Sequence, residues 1–162
     1  MAEQLVPVQA SIGFDTASRL ITEVHRLRKQ HQLLPLAVVV LDAGGHLVSF
    51  AREDGCGIMR FDIAFGKAFG ALGMGMSSRQ IRDRLAGRPT FQSALAAASG
   101  GRFIPTPGGV LIVSAAGQAV GAVGISGDAS DKDEFCAIEA IKLCGLSAEP
   151  MEPAPNWSGA GL

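Results

Sequence analysis

One helix-like segment places a single cation among aromatic and small side chains. The stretch FDIAFGKAFGALGMGM, residues 61–76, contains Lys67 and carries Gly66, Gly70 and Gly73 at helical spacing. A glycine in a helix interior costs about 1 kcal/mol relative to alanine. A groove of glycines lets another backbone or a flat ligand approach closely, and Lys67 at its border can pair with an acidic ligand or with a buried carboxylate such as Asp62 or Asp133. Packing of this groove against the protein's own sheet or a second subunit is the alternative.

The three histidines are the other side chains that could bind a metal or move a proton. His25 falls at the border of the apolar stripe of the first predicted helix, where it either ligates a metal or simply lies at the surface. His46 follows a Gly-Gly turn and is either a turn residue or a ligand, whereas for His31 a structural role is favoured. No two histidines share a helical face at i,i+4 and there is no HExxH, which disfavours a zinc hydrolase.

A third candidate is the segment GISGDASDKD, residues 124–133, which ends a predicted strand and opens the last helix. Backbone N–H groups at such a helix start can hold a carboxylate or a phosphate. Ser126, Ser130 and Asp133 can also satisfy those groups themselves, and Ser130 and Asp133 have the spacing of a capping box. A catalytic cysteine would need an adjacent base and a lowered pKa, and Cys56 in the loop DGCG is the most accessible candidate.

Composition excludes several classes of function. The chain of 162 residues fits one domain, with 48% hydrophobic and 18% charged residues. Its net charge of −1 gives no electrostatic reason to expect nucleic acid or an anionic membrane as a partner, and no apolar run approaches the roughly 20 residues of a membrane span. Three cysteines without a CxxC pair fit a reducing cytoplasm, and we expect no secretory signal. Nucleotide-binding glycine motifs are absent.

Two hairpins and several helices must position these residues. The predicted elements are a helix over 13–31, strands over 36–41 and 46–52, a helix over 61–76, short helices within 77–87 and 88–101, strands over 110–114 and 119–125, and a helix from Ser130 to about Cys144. This order predicts an α/β fold with an antiparallel sheet flanked by helices and no Rossmann-type series. We expect a single domain over 13–145, an N-terminal extension over 1–12, and a Pro/Gly-rich C-terminal tail over 146–162 that is mobile or laid across a partner.

A specific combination of segments points to a known family. The segments are VVVLDAGGHLVSFAREDG at 38–55, GKA at 66–68, PGGVLIV at 107–113, and GQAVGAVGISG at 117–127 followed by Asp133. This combination resembles the GlcG/HbpS family of haem-binding proteins, which is also found as the C-terminal domain of PduO-type proteins. The resemblance implies a profilin-like α/β/α sandwich and homo-oligomers. It also implies binding of haem or another tetrapyrrole in some members, and in others an association with small-acid catabolism.

The first function that these observations favour is an oligomeric small-molecule binding protein. A flat tetrapyrrole would lie against Gly66 and Gly70 or at a subunit interface, with its propionates on Lys67, Arg52 or the turn at 124–133. Since the chain has no tyrosine, the iron ligand would be histidine, cysteine or methionine.

Among the possible iron ligands, His25 and His46 lead and Met74 is third. We favour His25, because a helix-borne imidazole at the edge of an apolar face can reach a ring that lies along it.

The second function is an enzyme or accessory protein that acts on a small carboxylic acid. Arg52, Lys67 and the helix start at Ser130 would hold the carboxylate. A proton would then be moved by one of His46, Asp133 and Glu53. The third function is a structural or chaperone-like oligomer in which the glycine groove and the tail serve only assembly. The sequence leaves the choice between an enzyme and a binding protein open.

Overall fold

The elements of the fold follow the hydrophobic pattern of the sequence. The structure is a computed structural model that describes residue 6 and residues 9–162. In chain order the elements are α1 Phe14–Gln30, β1 Ala37–Asp42, β2 Leu47–Arg52, α2 Arg60–Met74, α3 Ser78–Leu85, α4 Pro89–Ala98, β3 Gly109–Val113, β4 Ala119–Ser126, α5 Ser130–Leu143, β5 Ser147–Glu149 and a 3₁₀ turn at Trp157–Gly159. Each predicted helix and strand is present, with ends shifted by a few residues at most. The predicted N-terminal extension over 1–12 and the expectation that no secretory signal is present concern residues that lie partly outside the described range.

The sheet forms the middle layer of the molecule. Its five strands are all antiparallel, in the order β2-β1-β4-β3-β5. Because successive side chains of a strand point to opposite faces, Val38 and Val40 pack with α1 and α5, whereas Val39 and Leu41 pack with α2. This arrangement confirms the predicted α/β fold with helices on both faces of an antiparallel sheet. None of the helices in the described part of the chain is long and apolar enough to cross a membrane.

Helix α2 lies unusually close to strands β3 and β4 because these strands carry glycines where the helix crosses. A side chain at Gly124 would collide with the backbone oxygen of Ala64, and one at Gly109 would collide with the backbone oxygen of Lys67. Only a residue without a Cβ permits such contact between a helix backbone and a strand backbone. Gly109 of the segment PGGVLIV and Gly124 of the segment GQAVGAVGISG therefore fix the height of α2 above the sheet, and with it the position of Lys67.

The C-terminal tail lies across its own domain, where the sequence predicted a mobile segment or one bound to a partner. Residues 147–149 form β5, which pairs with β3 and extends the sheet beyond residue 145. Further on, the ring of Trp157 stacks on Phe135 with centroids 3.6 Å apart, and His31 meets Phe135 edge-on at 4.9 Å. The sequence missed this because a three-residue strand is too short to show an alternating pattern.

Candidate functional site

Lys67 is buried where α2 crosses the end of β4 and the start of α5. Its side chain is 2% exposed, and Nζ donates hydrogen bonds to the backbone oxygen of Ile125 at 2.9 Å and to Oδ2 of Asp133 at 3.2 Å. The other carboxylate oxygen of Asp133 accepts a hydrogen bond from the backbone N–H of Asp128 at 3.1 Å. The backbone of Gly108 lies so close to Nζ that a Cβ there would be 3.0 Å away. The lysine therefore meets the protein's own carboxylate.

The capping box predicted for Ser130 and Asp133 does not form. Helix α5 begins at Ser130 with Ala129 as its N-cap, and no side chain caps it. The carboxylate of Asp133 accepts a hydrogen bond from Lys67 instead, because its position one turn into the helix faces the buried ammonium.

Burial shifts the pKa values of both partners in this ion pair. It raises the pKa of Asp133 to about 6, and the attraction of Lys67 only partly offsets this effect. Burial lowers the pKa of Lys67 for the same reason, because each charge loses its hydration inside the protein. The pair thus has the electrostatics of a buried structural contact.

Arg52 and Ser126 lie in one row across the sheet, on the α2 face. Ala37 of β1 pairs with Arg52 on one side and with Ser126 on the other. Ser126 accepts a hydrogen bond from Nη1 of Arg60 at 3.1 Å, and Nη1 of Arg52 donates to the backbone oxygen of Cys56 at 3.0 Å. Burial raises the pKa of the Cys56 thiol, which keeps it protonated and disfavours a cysteine nucleophile. This corner combines two arginines with a buried hydroxyl.

The glycine strip of α2 (Gly66, Gly70 and Gly73) is filled at one end and open at the other. A Cβ at Gly66 would lie 2.5 Å from Cγ1 of Ile104, and one at Gly70 would lie 3.2 Å from Cδ2 of Phe103. At Gly73 no atom lies within 4 Å of such a Cβ. The loop after α4 therefore occupies the first two positions, so this part of the strip packs within the chain, but against a loop and not against the sheet or a second subunit as the alternative interpretation had it.

A cavity of about 210 Å³ lies beside the open end of the strip. It sits between the end of α2, helix α4 and the loop that follows, and Gly73, Met74, Leu95 and Phe103 are among its walls. Arg102 stands at this cavity with its guanidinium carbon 4.2 Å from the centre of the Phe69 ring. Cation and aromatic face attract each other at this distance.

His25 lies on the opposite face of the sheet from the glycine strip, because α1 and α2 cover different faces. Its Nε2 atom is buried without a hydrogen-bond partner. Burial lowers the pKa of His25, although the nearby charge of Glu53 raises it. Since the sheet separates them, one ring cannot contact both the glycine strip and His25 of the same chain, which removes the first of the two predicted placements and leaves the subunit interface.

His46 directly precedes β2, the return strand of the first hairpin, and is largely exposed. Its Nδ1 lies 3.3 Å from Oδ1 of Asp42, and its side chain is 81% exposed. The same carboxylate oxygen accepts hydrogen bonds from the backbone N–H groups of Gly44 and His46, both at 2.9 Å. His46 is thus held by its own turn. Across the part of the chain that the structure describes, no group of three or more His, Cys, Asp or Glu side chains is placed to hold a metal ion.

Glu134 is a buried acid that the sequence did not single out. This residue is completely buried on α5, and burial raises its pKa to about 7. Neither carboxylate oxygen has a hydrogen-bond partner, although Nε of Arg79 lies 3.2 Å from Oε1 without the alignment of a hydrogen bond. In the segment SDKDEF, Glu134 stands in an unbroken series of charged residues, and the sequence does not show which of them are buried. No sequence signal could therefore have identified it.

Solved structures share this fold. The chain has a TM-score of 0.76 and 22% identity to a PduOC–haem complex, covering 87% of this chain and 99% of that one. The corresponding values for the protein ORFY of Klebsiella pneumoniae are 0.75 and 23%, covering 90% and 97%. For a double mutant of HbpS from Streptomyces reticuli they are 0.69 and 22%, covering 88% and 94%.

Sequence comparison gives a sharper result than these structural likenesses. No curated protein sequence matches the chain. The family model described as "Haem degrading protein HbpS-like", however, matches residues 12–142, which include α1 through most of α5. The chain therefore belongs to the HbpS-like family, as the resemblance in its hairpin and strand motifs indicated.

Proposed function

We propose that this protein binds haem or a related tetrapyrrole at the sheet edge formed by β2, with His25 as the axial ligand of the iron. The description of its family names haem, and one protein of the same fold is known as a complex with haem. A porphyrin needs a lone-pair donor for iron, an apolar contact surface and cations for its propionates. This sheet edge has residues for all three.

The observation that carries the proposal is the unpartnered imidazole nitrogen of His25. Nearly all buried polar atoms in proteins have a hydrogen-bond partner, but Nε2 of His25 has none. Burial also lowers the pKa of His25, so the ring is neutral at pH 7, and the neutral imidazole is the form that ligates a metal. The residue as a whole is only partly buried, so the ring lies near the surface of the protein.

The other two requirements are met at the β2 edge by residues on the α2 face of the sheet, so a ring ligated by His25 would extend around that edge. The charge of Glu53 acts on His25, and Glu53 directly follows Arg52, whose exposed guanidinium is suited to a propionate. Phe50 of β2 exposes 39% of its surface on this α2 face, and Ile58 and Met59, which directly precede α2, expose 82% and 67%. These side chains offer apolar contact that the monomer leaves uncovered.

We further propose that a second copy of the chain covers the bound ring. The ligand pockets of proteins generally bury 70–90% of a small molecule, and the cavity described above does not include His25 in its walls. The exposed apolar side chains beside β2 are the natural contact surface for that copy.

The three cysteines are all free, which is consistent with a reducing cytoplasm.

Titration of the purified protein with haemin tests the proposal. We expect a shifted Soret band in the wild type and its loss in His25→Ala, whereas His46→Ala, the matched control, retains it. Arg52→Gln should weaken binding and leave the position of the band unchanged, because it removes a propionate contact and no iron ligand. Loss of the band in His46→Ala alone would transfer the ligand role to His46. An unshifted band in the wild type would refute haem binding.

Acid should release the haem, because protonation of His25 removes its lone pair. Since burial lowers the pKa of His25 below the ordinary histidine value of 6.5, we expect binding to persist at pH 6.5 and to fall only at more acidic pH. The Soret absorbance measured across this range provides the check, and release already near pH 7 would contradict the assigned ligand.

The alternative, a site for a small acid built from Arg52, Lys67 and Ser130, has less support. Lys67 is buried and already paired with Asp133, so its charge is not available to a substrate carboxylate.

Sedimentation of the protein with and without haemin separates the binding proposal from an assembly that needs no ligand.

A further inference from the structure

Gly73 is the one member of the glycine strip that the fold does not use. Gly66 and Gly70 make room for Ile104 and Phe103, whereas nothing approaches the position of a Cβ at Gly73. Gly75 has its own role, because it ends α2 with a φ of 67° in the left-handed region. A glycine weakens a helix relative to alanine, and no contact within the monomer explains the glycine at position 73. A ligand bound beside it would explain it.

The space beside Gly73 has the size of a small molecule. The cavity of about 210 Å³ is bounded by α2, α4 and the loop that carries Phe103. Gly73 also borders a second cavity of about 140 Å³, which lies on the hairpin side and is lined by Phe69, Leu72 and the turn at 43–45. An engineered apolar cavity of roughly 150 Å³ binds benzene, so the first cavity can take one aromatic ring together with a small substituent.

Arg102 gives this apolar cavity a positive charge. Its Nε donates a hydrogen bond to the backbone oxygen of Ser99 at 2.8 Å, and its guanidinium lies over the ring of Phe69 at 4.2 Å. These two contacts hold the group at the cavity and leave its terminal nitrogens as donors. Within residues 9–162, no carboxylate forms an ion pair with Arg102. A fixed guanidinium beside an apolar ring-sized space is suited to a carboxylate on an apolar body.

We propose that the cavity between α2 and α4 binds a small aromatic monocarboxylate, with its ring over Gly73 and its carboxylate on Arg102. This site is separate from the haem site proposed above, because it lies on the α2 face of the sheet and His25 lies on the α1 face. The two proposals can therefore fail independently.

Benzoate and benzyl alcohol are the probes, since they share the ring and differ in the charged group. Binding is measured by calorimetry on the full-length chain. We expect benzoate to bind the wild type at least 10-fold more tightly than benzyl alcohol. Gly73→Leu should weaken benzoate binding at least 10-fold by filling the cavity. Leucine favours a helix over glycine, so this variant folds, and Gly13→Leu is the matched control on the other face, where a Cβ also meets nothing within 4 Å.

Arg102→Met should reduce benzoate binding to the level of benzyl alcohol, whereas Arg84→Met, which removes an exposed arginine of α3, should leave it unchanged. Absence of benzoate binding to the wild type would overturn the proposal, as would equal binding to the wild type and Gly73→Leu. Equal affinity for the two probes would do the same. Haemin binding by Gly73→Leu should match the wild type, so a loss there reports on the haem proposal alone.

Discussion

Two consecutive acidic residues on α5 have the same depth and different surroundings. Asp133 and Glu134 are both completely buried. Asp133 receives hydrogen bonds on both oxygens, from Nζ of Lys67 at 3.2 Å and from the backbone N–H of Asp128 at 3.1 Å. Glu134 receives none, although the guanidinium of Arg79 lies 3.2 Å from it. The first acid is built into the network that links α2, β4 and α5, whereas the second only lies near a cation.

At equal depth, the partners decide whether the charged form of a buried acid is hydrogen-bonded. Burial raises both pKa values, to about 6 for Asp133 and to about 7 for Glu134. For Asp133, hydrogen bonds to the charged form oppose the effect of burial. At neutral pH, Asp133 is therefore mainly ionised, and Glu134 is shared between its charged and neutral forms.

Removing the cation of the satisfied pair should have the largest effect. Lys67→Met leaves the carboxylate of Asp133 buried without its ammonium, and breaking a buried ion pair in this way costs about 3–5 kcal/mol. We expect the free energy of unfolding at pH 8, measured by urea denaturation, to fall by that amount. The loss should be smaller at pH 5, because the unpaired Asp133 can then take up a proton.

The double variant Lys67→Met, Asp133→Asn provides the control for this experiment. Since it removes both charges, it should recover a large part of the lost stability. A loss below about 1 kcal/mol in Lys67→Met would mean that the pair behaves like an exposed one, and the contrast with Glu134 would disappear.

Neutralising the unsatisfied acid should have the opposite sign. The folded protein keeps the proton of Glu134 up to about pH 7, whereas the unfolded chain releases it near 4.5. The folded state therefore binds more protons in this window, and the free energy of unfolding falls as the pH rises through it. Glu134→Gln should be more stable than the wild type by roughly 2–3 kcal/mol at pH 8 and nearly equal to it at pH 4.5.

Thermal and urea unfolding of Glu134→Gln across this pH range measure the difference. Asp131→Asn, a neutralisation at a partly exposed position of the same helix, is the control and should change stability little at any pH. If Glu134→Gln were less stable than the wild type at pH 8, the ion pair with Arg79 would outweigh the burial of the charge.

The fold could be predicted because its signals are local. The β-branched run of β1, the turn at 42–45 and the glycines of β4 each indicate their structure within a few residues, and together they indicated the family. The antiparallel arrangement followed from the order of hairpins and helices. By contrast, β5 and the stacking of Trp157 on Phe135 depend on tertiary contacts that no short pattern records.

The candidate site could be predicted only in part, because its geometry is set by which face of the sheet each helix covers. The sequence singled out Lys67 and Asp133 and named their pairing as one alternative, and the structure brings them together. From the sequence, His25 was predicted to ligate a ring lying on the glycine strip. Periodicity places residues on a helix face but does not tell on which side of the sheet that helix packs. Glu134 could not be predicted, because the sequence does not distinguish a buried carboxylate from an exposed one among consecutive charged residues.

The smallest effect is expected from Arg79, and it separates the two contacts of this side chain. Arg79→Met removes the charge beside Glu134 and also a hydrogen bond of 2.8 Å from Nη2 to the backbone oxygen of Glu152 in the tail. We expect a loss of about 1 kcal/mol at pH 8, with less lost at pH 5, where a protonated Glu134 needs no cation. Urea unfolding at both pH values measures this, with Arg84→Met on the same helix as control. An equal loss at both would assign Arg79 to the tail alone, because only the contact with Glu134 depends on a proton.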